Sequence, residues 1–222
     1  MRTVLSLIIL AVTAPLTLAQ DPVSVDASHY RVMLDNDQVR VLRIHYNPKE
    51  LSVMHEHPAS VVVFLSDSQA VFTLPDGSKL PNAGGKKGEV RFAESGKHQP
   101  ENTGKTPVEA VLVELKGRPG SSSPVAMDAV KIDPSHHKLE FENDRVRVLR
   151  IKLKPGDKTR QHEHPDGVAI FLTDAAAKFT LSDGKIREGG GKRGEANWAA
   201  AEKHAVENAS TTAMEVILVE LK

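Results

Sequence analysis

The sequence predicts an all-β protein made of two tandem copies of one small antiparallel β-sandwich or barrel. Three observations support this prediction. Long segments of the chain recur at a fixed spacing. Short runs rich in β-branched residues alternate with turn residues inside each copy. No segment shows the long 3.6-residue apolar stripe, with caps, that is typical of a surface helix.

The repeat covers nearly the whole chain after its first residues. NDQVRVLRI, HEHP and FTLPDG each return 107 positions later as NDRVRVLRI, HEHP and FTLSDG, for example from His55 to His162. VEAVLVELK returns 106 positions later as MEVILVELK, so one residue is missing between Gly184 and Gly194. The Gly/Ser/Pro-rich segment GRPGSSSP separates the copies and has the composition of a linker. We therefore predict an N-terminal domain over 26–116, a linker over 117–130 and a C-terminal domain over 131–222.

The first 19 residues are predicted to be a signal peptide. Arg2 gives a short positive region, an apolar run extends from Val4 to Val12, and Thr17 and Ala19 supply small residues before a cut after Ala19. We therefore expect a periplasmic or secreted protein. Because the chain has no cysteine, its stability must come from packing, metal binding or association, and thiolate ligands are excluded.

Each copy reads as short strands separated by turns. In the first copy, 29–34 and 38–46 flank the turn residues 35–37, and Val61–Leu65 is a continuous apolar run typical of a strand buried on both faces. The segment 71–74 leads into the turn Pro75-Asp76-Gly77, and 89–93 and 108–115 complete the copy.

Composition narrows the classes of partner. Lys plus Arg and Asp plus Glu are both 29, so nothing in the net charge favours nucleic acid or an anionic membrane surface. Aromatic residues make up only 4% of the chain, which argues against stacking platforms for bases. We expect a small-molecule ligand or substrate, no nucleic acid and no membrane, and the sequence leaves a homo-oligomer open.

The histidines give the strongest indication of chemistry. Residues i and i+2 of a strand face the same side, so His55 and His57 can reach one ion, as can His162 and His164. The intervening Glu56 and Glu163 then face the other way. About 40 residues downstream of each pair a third imidazole recurs, at His98 and at His204.

Other histidines and the tyrosines are less informative. His29 and His136 also match in the repeat, and we read them as residues at the start of a strand, on the rim. His45 and His137 have no histidine partner; the repeat places Lys152 and Tyr30 opposite them. The residues that match Tyr30 and Tyr46 in the second copy are not tyrosines, so the repeat gives no support for a chemical role of either tyrosine.

The order of these motifs resembles the cupin superfamily. His55-x-His57 is followed by His98-x-x-x-Asn102, and His162-x-His164 by His204-x-x-x-Asn208, so the chain looks like a bicupin. The resemblance implies a jelly-roll barrel in each copy with a divalent transition metal inside. The implied ligands are His55, His57 and His98 for one ion and His162, His164 and His204 for another.

The chain departs from the family in its carboxylate. Where a cupin has a ligating glutamate, this sequence has Val61 and Val62, or Val168 and Ala169. Asp166 is a candidate substitute in the second copy only. Three neutral imidazoles leave a divalent ion its full charge and at least one open coordination position. Imidazole suits several metals, so Fe, Mn, Ni, Cu and Zn all remain candidates.

Two functions of different classes follow from the same residues. The first is a metal-dependent oxidoreductase of the dioxygenase type that acts on a small molecule, for which the sequence identifies no general base. The second is a non-catalytic module that binds a small ligand or the metal itself. A third possibility is that both sites are metal-free and serve structure or assembly.

Overall fold

The computed structural model describes residues 20–117 and 125–222. The predicted signal peptide and residues 118–124 of the predicted linker lie outside this part of the chain. Among the described residues, no helix is long and apolar enough to cross a membrane.

Each copy consists of a single-turn helix followed by nine strands. The first copy contains α1 (Pro22–Val25), β1 (Tyr30–Asp35), β2 (Val39–Tyr46), β3 (His55–His57), β4 (Ser60–Phe64), β5 (Ala70–Thr73), β6 (Lys79–Leu80), β7 (Val90–Ala93), β8 (Gly96–Asn102) and β9 (Val108–Leu115). The second contains α2 (Ala129–Ile132), β10 (His137–Glu142), β11 (Val146–Leu153), β12 (His162–His164), β13 (Gly167–Phe171), β14 (Ala175–Leu181), β15 (Ile186–Gly191), β16 (Ala196–Ala199), β17 (Glu202–Asn208) and β18 (Met214–Leu221).

The strands of each copy form two antiparallel sheets. In the first copy the orders are β1-β2-β9-β4-β7 and β3-β8-β5-β6. The second copy repeats both orders, as β10-β11-β18-β13-β16 and β12-β17-β14-β15. The prediction of an all-β chain built from two matching barrels is therefore confirmed. The histidine strands β3 and β12 lie in the smaller sheets, each beside the strand that carries the third predicted histidine.

Two details of the elements differ from the sequence prediction. The predicted start of the second domain at residue 131 falls inside α2, whose first turn is capped by Asp128 through a hydrogen bond from the backbone N–H of Lys131. The strands β6 and β15 were not predicted. β15 ends in Gly189, Gly190 and Gly191, and glycine carries no side-chain signal for a strand.

The larger sheets are apolar on both faces, as the run Val61–Leu65 indicated. Val61 and Val63 are fully buried in a cluster that also contains Val168, Ile170 and other residues of the second copy. The alternate side chains face the inside of their own barrel: Leu42 and Leu112, for example, pack there with Tyr30 and Tyr46. One core therefore lies between the copies, and each barrel has its own apolar interior.

Reciprocal hydrogen bonds relate the two copies by an approximate twofold. Arg43 donates to the carbonyl of Gly194 at 3.0 Å, and its repeat equivalent Arg150 donates to the carbonyl of Gly88 at 2.5 Å. Both glycines have positive φ, at 83° and 81°. Such a backbone suits glycine, and here it directs each carbonyl toward the other copy.

Candidate metal centres

Antiparallel pairing brings the first predicted triad together. β3 pairs with β8 so that His55 lies directly opposite His98, and His57 shares the face of His55 two residues on. The ring centres are 4.9 Å apart for His55 and His57, 5.1 Å for His55 and His98, and 5.3 Å for His57 and His98. Each ring has a nitrogen within 4.8 Å of a nitrogen on both others, which is close enough for one ion to reach all three.

Hydrogen bonds fix the orientation of two of these rings. His55 Nδ1 donates to the carbonyl of Val53 at 2.8 Å, and His57 Nδ1 donates to Glu114 Oε1 at 2.7 Å. Glu114 is 1% exposed and also accepts a hydrogen bond from Arg40. A neutral imidazole that donates through Nδ1 keeps its lone pair on Nε2. Both rings therefore present Nε2 to the barrel interior, as metal-bound histidines with a carboxylate or carbonyl partner do.

Two buried tyrosines adjoin this triad. The hydroxyl of Tyr30 lies 2.9 Å from His55 Nε2, to which it donates, and the hydroxyl of Tyr46 donates to Tyr30 at 2.7 Å. Tyr30 is 3% exposed. The tyrosines thus form a hydrogen-bonded chain that ends on a predicted ligand nitrogen, although the repeat offered no support for a role of either tyrosine.

The second copy brings four histidines together. β12 pairs with β17 so that His162 lies opposite His204, as His55 lies opposite His98. The set with nitrogens all within 4.8 Å of one another is, however, His137, His162 and His164. The ring of His204 is 5.0 Å from that of His162 and 5.6 Å from that of His164. The structure therefore adds His137, from the start of β10, to the predicted triad.

Every ring of this second group has an acceptor on Nδ1. The acceptors are the carbonyl of Arg160 for His162 at 2.7 Å, Glu220 Oε1 for His164 at 2.6 Å, the carbonyl of Asp133 for His137 at 3.1 Å and Glu202 Oε1 for His204 at 2.9 Å. All four rings are therefore held in the tautomer whose lone pair is on Nε2.

The free nitrogens of the second group fit a metal ion. Among the described residues, Nε2 of His137, His162 and His164 is buried and has no hydrogen-bond partner. Leaving a buried acceptor unpaired costs about 1–3 kcal/mol per group. Three such atoms in one place are the arrangement that a divalent transition metal would satisfy, because neutral imidazole is a common ligand for these ions.

Burial keeps these imidazoles neutral. It lowers the pKa of His55 to about 4 and those of His98, His137 and His164 to about 3, with neighbouring histidines adding to the effect. Burial also lowers the pKa of His162 and His204. Neutral rings are the form that binds metal, so the metal-free sites are preorganised for an ion at neutral pH.

The acidic residues considered from the sequence lie away from the histidine groups. Glu56 forms an ion pair with Lys97, with 3.7 Å between Oε2 and Nζ. Glu163 accepts hydrogen bonds from the backbone N–H groups of Ala126 and Met127. Asp166, the candidate substitute ligand, accepts from the backbone of Ala201 at 2.7 Å and belongs to neither group.

The two other repeated histidines occupy matching places outside the groups. His29 Nδ1 is hydrogen-bonded to Asp26 Oδ1 at 2.7 Å, and His136 Nδ1 is hydrogen-bonded to Asp133 Oδ2 at 2.9 Å. His29 also stacks on Tyr46, with ring centres 4.2 Å apart. These contacts agree with residues on the rim of each barrel.

A cavity of about 550 Å³ opens onto the first triad. His57, His98 and Tyr30 line it, and most of its remaining wall is apolar, including Phe72 and Leu112. The ring of His98 stacks on the ring of Phe72, with ring centres 4.2 Å apart. This volume lies in the range of typical small-ligand sites.

Comparison with protein-family models found no match, and comparison with curated proteins found none either. Solved structures match over both barrels. AerE from Microcystis aeruginosa has a TM-score of 0.61 over 87% of this chain and 97% of AerE, at 13% identity. Oxalate decarboxylase from Bacillus subtilis, in a study of its Mn(II) centres, has a TM-score of 0.59 over 88% of this chain and 76% of that one, at 12% identity. The chain has the bicupin fold.

A single cupin domain from Bordetella pertussis also matches, at 23% identity over 40% of this bicupin, but its TM-score of 0.37 adds nothing to the assignment. At these identities the solved structures establish the fold alone. Each barrel of this fold contains a histidine group that could hold a metal ion, in agreement with the resemblance seen in the sequence.

Several residues of the bicupin sites escaped the sequence reasoning. Glu114 and Glu220 could have been found, because each interrupts a run of apolar residues near the end of a strand that recurs in both copies. Such an acid must be paired when the strand is buried. His137 and Tyr30 differ between the copies, and a comparison of repeats gives no weight to a position that is not shared.

Proposed function

We propose that this bicupin binds a divalent transition metal in each barrel and acts, outside the cytoplasm, on a small molecule. The observation that carries the metal proposal is the set of three buried, unpartnered Nε2 atoms on His137, His162 and His164. His55, His57 and His98 are the ligands proposed in the first barrel, and His162, His164 and His204, joined by His137, in the second.

The proposed ligands narrow the range of candidate metals but do not identify one. Four or three neutral nitrogens suit Zn, Cu, Fe and Ni better than the hard cations Mg²⁺ and Ca²⁺. Mn is a further candidate because the oxalate decarboxylase of similar fold has Mn(II) centres. With no carboxylate among the proposed ligands, a divalent ion keeps its full charge, which favours an anionic group on the bound molecule.

For the first barrel we propose an oxidoreductase activity of the dioxygenase type. The cavity beside His57 and His98 supports it, because it gives a small molecule access to the proposed metal position. There a bound metal would supply a Lewis acid and a place for O₂. The protein contributes a mostly apolar wall and the hydroxyl of Tyr30. This hydroxyl donates to His55 Nε2 in the metal-free protein, and an ion on that nitrogen would leave it free to donate to a bound molecule.

The competing proposal is a protein that binds a ligand or metal without catalysis. It is favoured by the composition of the histidine groups, which contain no carboxylate to serve as a general base. The two proposals share the metal sites and differ in whether a bound molecule is turned over.

Two experiments test these proposals in turn. Calorimetric titration of metal-free protein with Mn, Fe, Ni, Cu and Zn should show saturable binding of at least one ion, and absence of binding for all five would refute the metal sites that the two proposals share. Oxygen consumption by the loaded protein should then be followed with a panel of small enols and thiols, with metal-free protein as the control. Uptake that requires metal supports the enzyme; binding of these molecules without uptake supports the binding protein.

We also propose that the protein is exported and that cleavage follows Ala19. Gln20, the residue that would become the N-terminus, accepts a hydrogen bond from the backbone of Glu56 in β3 at 3.0 Å, so the mature chain would keep this contact. The mass of the protein isolated from cells tests this proposal: a chain beginning at Gln20 agrees with it, and one that retains Met1 contradicts it.

A further inference from the structure

One repeat position at which the two histidine groups differ is the first residue of the first strand. Tyr30 opens β1 and lies opposite Ile44, and His137 opens β10 and lies opposite Ile151. The ring of Tyr30 is 4.9 Å from that of His55, and the ring of His137 is 4.5 Å from that of His162. The same place beside the strand histidines thus holds a phenol in one copy and an imidazole in the other.

In the second copy this residue completes a set of four imidazoles. His137 Nδ1 donates to the carbonyl of Asp133, and its Nε2 is buried beside the equally unpartnered Nε2 atoms of His162 and His164. His204, held through Nδ1 by Glu202, has its ring 5.0 Å from that of His162; it lies outside the set of nitrogens within 4.8 Å of one another and would approach that set to become a fourth ligand. Four nitrogen donors satisfy a tetrahedral ion, and such closed sites are structural and leave no position for a further ligand.

In the first copy the fourth imidazole is replaced by a hydrogen-bond donor. Tyr30 donates a hydrogen bond to His55 Nε2, and the hydroxyl of Tyr46 donates one to the hydroxyl of Tyr30. Only three imidazoles remain, and His57 and His98 line the cavity of about 550 Å³. The wall around them is made mostly of apolar side chains such as Val62, Phe72 and Leu112.

From this difference we infer that the second barrel holds a closed, structural metal site, and that only the first barrel admits an exogenous ligand, a small apolar molecule with one anionic oxygen group. The inference rests on the proposed metal binding. The oxygen group would meet the ion and the hydroxyl of Tyr30, and the apolar body would fill the cavity beside Phe72.

The test uses Co(II), whose visible spectrum reports its ligands, in two single-site variants. His164→Ala leaves the first site, and His57→Ala leaves the second. Acetate and benzoate serve as probes, because they share the carboxylate and differ in the apolar body. Benzoate should change the spectrum of the first site at a concentration about ten- to a hundredfold lower than acetate, since its ring buries apolar surface. Neither probe should change the spectrum of the second site.

Exchanging His137 and Tyr30 between the copies provides a further test. His137→Tyr, added to the variant with only the second site, should create a response to the probes. Tyr30→His, added to the variant with only the first site, should weaken the response at least about tenfold by supplying a fourth imidazole.

The outcomes separate this inference from the proposed function. If elemental analysis finds no cobalt in either single-site variant, the metal proposal fails. If both variants hold cobalt and both respond equally to benzoate, the metal proposal stands and the division between closed and open sites is wrong. Equal affinity for acetate and benzoate at the first site would refute the apolar ligand class. The two single-site variants decide these points even if an exchange variant fails to fold.

Discussion

Mild acid should destabilise the metal-free protein more strongly than it does an ordinary domain. Burial lowers the pKa of His55, His98, His137 and His164 to about 4 or about 3, whereas a histidine in an unfolded chain titrates near pH 6.5. Below about pH 6.5 the unfolded state therefore binds more protons than the folded state. The stability that these neutral rings confer is present above that pH and is lost as the pH falls.

The size of the effect follows from these values. Between pH 7 and pH 5 each such histidine lowers the free energy of unfolding by about 2 kcal/mol, or about 7 kcal/mol for the four. Glu220 acts in the opposite direction. Burial raises its pKa to about 7, so the folded state takes up a proton in this window and recovers about 2 kcal/mol. The remainder for these five groups, about 5 kcal/mol, is a large part of the stability of a typical domain, and the lowered pKa values of His162 and His204 add to the loss.

Urea denaturation of metal-free protein at pH 7, 6 and 5 measures this loss directly. The variant His137→Phe provides a control, because it removes one titrating ring and should lose about 2 kcal/mol less than the wild type over the same range. Equal free energies of unfolding at pH 7 and pH 5 for the wild type would refute the account of neutral, preorganised imidazoles.

Three further predictions concern packing and ligand orientation. Ile217→Ala, in the fully buried core between the copies, should lower the free energy of unfolding by about 2–5 kcal/mol in urea, whereas Ile186→Ala, at a side chain that is 66% exposed, should have little effect. Glu220→Gln should weaken metal binding at the second site about ten- to hundredfold in a chelator competition. Gly190→Ala should destabilise the protein by at least about 1 kcal/mol, because its φ is 134° and a Cβ would strike the backbone of β14, while Gly96→Ala meets nothing and should be tolerated.

The fold could be predicted because its determinants are local and occur twice. The repeated strand and turn patterns identified two copies, and the apolar run Val61–Leu65 identified a strand covered on both faces. The other copy covers the outer face of this strand. That contact is long-range, and the pattern of one strand does not specify it. The edge strands β6 and β15 were missed because their short or glycine-rich sequences have little side-chain alternation.

The histidine groups were predictable to the extent that strand geometry defines them. The alternation of side chains placed His55 with His57, and the downstream His98 was found across the sheet. His137 was missed because its contact with His162 depends on how β10 enters the barrel, which spacing alone does not give. Tyr30 was missed for the same reason. The position occupied by Tyr30 and His137, where the copies differ, is thus one that distinguishes the two sites.

The most direct test of the central claim is the metal content of natively purified protein. Elemental analysis should find about two transition-metal ions per chain in the wild type, one from each histidine group, and about one in each of the variants His57→Ala and His164→Ala. No bound metal in the wild type, with none taken up when Fe, Mn, Ni, Cu and Zn are added in turn, would contradict it.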